Sequence, residues 1–159
     1  MSLQALKDRE IEELAQDQMA LQDFIESTKA GDPPGPLIDI FHFHGLHYLF
    51  TGSAWKGAEP LCYLVHQNRL LGLYNREHEV RAITSKQLEA FELALQPIDH
   101  EELLKRYDGK AMTSAGIYPS IWEIDDNEAK DGLCEDLDKL KSFLKAAKTR
   151  QEGALIWTY

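Results

Sequence analysis

Three of the chain's six histidines fall within FHFHGLHYLFTG, residues 41–52. Imidazole is the side chain from which metal sites and general acid–base pairs are most readily built. On a helix, His44 and His47 stand three apart and face the same way. Cys62 and His66 stand one helical turn apart in the segment that follows. Brought together, these would form a Cys-His₃ donor set that zinc accepts. No spacing such as HExxH fixes that geometry, and the GSAWKGAE loop leaves it open. The plainer reading places His42 and His44 in solvent, His47 in a hydrogen bond at the core edge, and Cys62 in the core. Without a motif, the plainer reading is favoured. A nucleophilic Cys62 is disfavoured too, because PLCYLV is apolar on both sides and burial raises a thiol's pKa. No GxSxG, Walker-type or dinucleotide-binding glycine pattern occurs.

The second stretch that could do chemistry is AGIYPSIWEIDD, residues 115–126. Gly116 and Pro119 stop a helix and stiffen the turn that carries Tyr118 and Trp122. Glu123, Asp125 and Asp126 follow directly. Rigid aromatics beside carboxylates suit a recognition surface, and neighbouring carboxylates can act as acid and base if burial separates their pKa values. Against this, both aromatics can plug a core while the acids open a long helix whose dipole favours them. The acids need no other explanation, so the second account is preferred.

The elements that must position these groups are legible from periodicity. Ile11 and Leu14, then Leu21, Phe24 and Ile25, mark one helix or two short ones, and KAGDPPGP ends them as a loop. Phe43, Leu46 and Phe50 recur at helical spacing, with Gly52 at the C-terminal cap position. GAEPLCYLVHQN reads as a short helix with Pro60 in its first turn. RLLGLY and EVRAIT read as strands joined by the turn NREHE. Thr84 with Gln87, and Asp99 with Glu102, have the spacing of helix N-caps. Leu133, Leu137, Leu140, Leu144 and Ala147 form one stripe along the longest helix, with Gly153 as its stop and ALIWTY as a closing strand. Helices mixed with short strands in no regular βαβ rhythm indicate an α+β fold.

The 159 residues suit a single domain. Twenty-seven acids against seventeen Lys and Arg leave a net charge of −10. Such a field repels nucleic acids and anionic membranes, and it is compatible with a basic protein partner. No run reaches the ~20 apolar residues a membrane span needs. The start MSLQALKDREIEEL carries no signal-peptide core, so a cytoplasmic protein with two reduced cysteines, Cys62 and Cys134, is expected.

IDIFHFHGLHYLFTG, LLGL and YDGKAMTSAGIYPSIWEID together resemble the YfbM-like proteins, a bacterial family of unknown function. The resemblance spans most of the chain from Asp8 onward. It implies helices around a small, mostly antiparallel sheet, with the family's N-terminal strand truncated here to MSLQAL. It supplies no activity and no catalytic residue. Of the three histidines only His47 falls on a motif position, so the resemblance does not imply a three-histidine site.

The function expected on these grounds is a cytoplasmic binding module, with no cofactor and no metal. Its contacts are placed at Tyr118, Trp122 and Glu123 with His47 near, toward a basic protein partner, such as a protein it neutralises in the manner of an immunity factor. The alternative is a small hydrolase or metal-dependent enzyme using His47, Cys62 and His66, or the Glu123, Asp125 and Asp126 acids. A small-molecule ligand stays open.

Overall fold

The computed structural model of the chain describes residues 1–31, 33–66, 68–74, 78–124 and 126–158. Residues 75–77 of the expected NREHE turn lie outside them, as does Asp125. The chain comprises two compact units, each assembled from separated segments.

The first unit comprises Met1–Asp39, Asn68–Ala90 and Phe143–Tyr159. Its strands are β1 (Ser2–Leu6), β2 (Leu37–Asp39), β3 (Arg69–Tyr74), β4 (His78–Ile83) and β5 (Gly153–Trp157). They form one antiparallel sheet in the order β2-β1-β5-β4-β3. β1, expected to be truncated, pairs along all five residues with β5, from Ser2 opposite Trp157 to Leu6 opposite Gly153. Every residue of β1 and β5 is buried, as befits strands covered on both faces. The N-terminal helical pattern resolves into α1 (Asp8–Ala15) and α2 (Gln18–Lys29). Asp17 divides them, because its carboxylate accepts from the N–H groups of Met19 and Ala20 and starts a new helix. The apolar faces of α1 and α2 contribute Ile11, Leu21 and Ile25 to a core with Leu6, Val80, Leu155 and Trp157.

The second unit comprises Ile40–Gln67 and Phe91–Ser142. It contains α3 (Phe43–Thr51), α5 (His100–Leu104) and α6 (Gly109–Ser114). It also takes the end of α4 (Ser85–Leu95) and most of α7 (Asp126–Thr149). Gly52 closes α3 at φ 72°, its N–H bonded to Tyr48 O, as the sequence suggested. The Thr84 and Gln87 box opens α4, and Asp99 and Asp108 cap α5 and α6. The stripe along α7 is wholly buried at Leu133, Leu137 and Leu140. In this core Phe91 meets Phe50 and Tyr63 edge-on.

Two sequence expectations are corrected. In GAEPLCYLVHQN, residues 59–65 form successive turns and not a helix, Gln67 lies outside the described residues, and the Glu59–Pro60 peptide is cis. Cys62, Tyr63 and Leu64 are buried in succession there, so the segment lacks the single apolar face an amphipathic helix needs. Gly153 does not stop α7. Gln151 makes the left-handed turn, at φ 54°, and Gly153 opens β5, where a side chain would overlap Ile83 O.

Candidate functional site

The three clustered histidines have three separate environments. His42 is the N-cap of α3. Its backbone N–H and its Nδ1 both approach Asp136 Oδ2, at 2.7 and 2.9 Å. Asp136 is only 2% exposed, and its other oxygen accepts from Lys139 Nζ at 3.1 Å. Burial would raise this carboxyl's pKa, but the bonds from His42 and Lys139 outweigh it and hold the pKa below its ordinary value. In the neutral ring, donation from Nδ1 leaves Nε2 as the acceptor. Gly132, one turn before Asp136 on α7, provides the space for this ring, since any β-carbon there would overlap the imidazole. Phe41 and Trp122 meet the ring edge-on at 5.0 and 6.1 Å.

His44 was expected in solvent, yet it is buried. Its Nε2 lies 2.7 Å from Ala54 O, and its Nδ1 accepts the Tyr118 N–H at 3.0 Å. Burial lowers its pKa, and protonation would set two donors against each other at Nδ1. His47 is also buried, with Nε2 at 3.2 Å from Lys56 O. Desolvation carries its pKa down to about 4. These two imidazoles pin the loop after α3 to the helix.

The expected site residues are placed as follows. Trp122 and His47, read as contact residues, are each 0% exposed and offer no surface to a partner. Trp122 fills the space over Gly45, and its Nε1–H donates to Ile117 O at 2.7 Å. Tyr118 is 55% exposed and Glu123 is exposed. Cys62 is wholly buried, which raises its thiol pKa. His44 and His66 lie near enough to His47 to disfavour its protonation. Even so, among the described residues no three His, Cys, Asp or Glu side chains are disposed to hold a metal ion. Asp126 pairs with Lys130, which lowers its pKa, the opposite of what a general acid needs.

What the structure does bring together is a groove of about 770 Å³ beside His42. Phe41, Ile121 and Ile124 supply apolar wall, and Glu128, Asp131 and Glu135 line it with carboxylates. These acids recur at three and four residues, on one face of α7. No lysine or arginine lines the groove among the described residues, and the adjacent cations are engaged, Lys130 by Asp126 and Lys139 by Asp136. Phe41 is 57% exposed and Ile124 82%, and the Phe41 ring stands 6.3 Å from that of Tyr118.

The sequence places His42 in solvent and gives no role to Asp136 or the acid stripe, whereas His42 is largely buried against Asp136. Two signals were present. Gly132 interrupts an otherwise strong helix at a cost of about 1 kcal/mol relative to alanine, which marks a close approach. Asp136 falls on the apolar face between Leu133 and Leu140, where an acid requires a partner.

No curated protein matches the sequence significantly. The structure is similar to that of YfbM from Escherichia coli, a protein of unknown function, with a TM-score of 0.72 at 22% identity, covering 98% of this chain and 97% of that one. At that identity the likeness shows the fold, an α+β arrangement of helices with a five-stranded antiparallel sheet. The family model for DUF1877, a domain of unknown function, matches residues 1–157. With sequence and fold in agreement on the YfbM-like assignment, the chain belongs to the DUF1877 family.

Proposed function

We propose that the protein is a binding module whose groove beside His42 takes a basic segment of a protein partner. The observation that carries this is the composition of the groove. Exposed apolar walls lie against three carboxylates, with no cation lining the groove among the described residues. Asp131 and Glu135, like charges one turn apart on α7, repel at a cost of a few tenths of a kcal/mol, which a cationic partner would relieve. The net charge of −10 steers such a partner toward the surface. On this reading the protein acts in a bacterial cytoplasm. No described helix is long and apolar enough to cross a membrane, which is compatible with that setting. Neutralising a basic protein, as an immunity factor does, is one role such a surface would serve.

The test is an array of short peptides of graded charge, probed with the wild-type protein and with an Asp131→Lys, Glu135→Lys variant. Retention of basic peptides by the wild type, lost on charge reversal and weakened by salt, supports the reading. Equal retention by both proteins, or none by the wild type, overturns it.

A further inference from the structure

We propose that the anchor of that basic segment is a single arginine, read by its guanidinium, with His42 Nε2 as the acceptor that separates arginine from lysine. The inference rests on the binding reading above and adds the identity of the side chain the groove selects.

Three properties of the groove point to a guanidinium. The first is shape. Phe41, Ile121 and Ile124 present apolar surface, and the planar guanidinium is more weakly hydrated than an ammonium and stacks on aromatic faces. Phe41 is exposed and lines the same groove, so its ring is available for that stacking. The second is the number of acceptors. Asp131 and Glu135 stand one turn apart on α7, and among the described residues neither is engaged by a lysine or arginine. A guanidinium has five donors in a fixed fork and can serve two carboxylates and a third acceptor at once. A lysine ammonium has three donors on a compact, strongly hydrated centre.

The third property is the imidazole. An ordinary surface histidine can place its proton on either nitrogen. His42 cannot do so freely, because Asp136 Oδ2 accepts from Nδ1 and fixes the tautomer. Its Nε2, beside Gly132, is therefore a lone-pair acceptor with no partner among the described residues. This acceptor is neutral, so it adds directional specificity where carboxylates alone would attract any cation. Protonation would turn it into a donor and place a positive charge in the groove. The charged and titratable groups around the ring are Asp136 and Lys139 behind it, Glu128, Asp131 and Glu135 along the groove, and Tyr118 beyond Phe41.

The experiment is an NMR titration of the full chain with two blocked tripeptides, Gly-Arg-Gly and Gly-Lys-Gly, followed at backbone amides and at the His42 ring. The arginine peptide should bind more tightly by on the order of tenfold, the worth of one further charge-assisted hydrogen bond. It should shift the Gly132 and Asp131 amides and the His42 Nε2 resonance. In His42→Phe, which keeps a ring in the space over Gly132, the two peptides should bind alike. Should that variant fail to fold, Asp131→Asn with Glu135→Gln should weaken both peptides in a protein whose His42 is intact. Equal binding of the two peptides to the wild type overturns the arginine assignment while leaving the basic-partner reading in place. A preference that survives His42→Phe removes the imidazole's part. Binding of neither peptide overturns both readings.

Discussion

One carboxylate oxygen of Asp136 accepts both the backbone N–H and the side-chain Nδ1 of His42. One oxygen therefore holds the backbone at the start of α3 and the orientation of the His42 ring together. Asp136→Ala leaves the His42 N–H without its partner and Lys139 without its anion. An expected loss of about 1–3 kcal/mol follows from stranding a largely buried donor. Asp136→Asn, which keeps an acceptor oxygen, should lose less. Urea denaturation of the two variants checks the order, and equal losses would contradict it.

Gly132→Ala tests the space the ring occupies. Alanine improves intrinsic helix propensity by about 1 kcal/mol, so on an unobstructed helix it would stabilise. Here its methyl overlaps the imidazole and must displace it. The expected outcome is a net loss of stability together with a changed His42 ring spectrum. A stabilised variant with an unmoved ring would show that the glycine is incidental.

Trp122 and Tyr118 should separate cleanly. Trp122→Ala removes a wholly buried indole with a hydrogen bond to Ile117 O, at an expected cost of about 3–5 kcal/mol. Tyr118→Ala removes a ring that is half in solvent, so it should cost well under that figure, on the order of 1 kcal/mol or less. Thermal melts of the pair measure the contrast, and a Tyr118 variant as damaged as the Trp122 variant would overturn it.

Acid should destabilise the fold through His47. Its folded pKa is about 4, against an ordinary value of 6.5, so protons bind the unfolded chain more readily. The stability contributed by the neutral ring is complete above the unfolded value and is lost as pH falls toward the folded one. His44, also lowered by burial, acts in the same direction. His47 alone should remove about 3 kcal/mol between neutrality and about pH 4, and His44 adds to the loss. Urea midpoints across that range give the slope. His47→Asn should flatten it, and an unchanged slope would assign the acid sensitivity elsewhere.

The elements were largely readable because their signals are local. The cap spacing at Thr84 and Gln87, the left-handed Gly52, and the stripe of Leu133, Leu137 and Leu140 each depend on a few neighbouring residues, and each lies where periodicity placed it. The groove was not readable in this way. It depends on His42 and Asp136, ninety-four positions apart in the chain, and no window in sequence contains both. The aromatic pair divided for a similar reason. Tyr118 and Trp122 sit four residues apart on a stiff turn, and the space over Gly45 that receives the indole comes from a distant segment. The His44 environment was misread because Ala54 O and the Tyr118 N–H, which make burial of its ring tolerable, arrive from other segments.

The place of β5 sets an order of events during synthesis. β5 lies between β1 and β4, so until residues 153–157 have been made the sheet exists at most as two separate pairs, β2 with β1 and β3 with β4. Two-stranded pairs are marginal in water on their own. Until β5 is in place, β1 and β4 each expose one backbone edge, which makes those two edges the segments most in need of protection while the chain is being made.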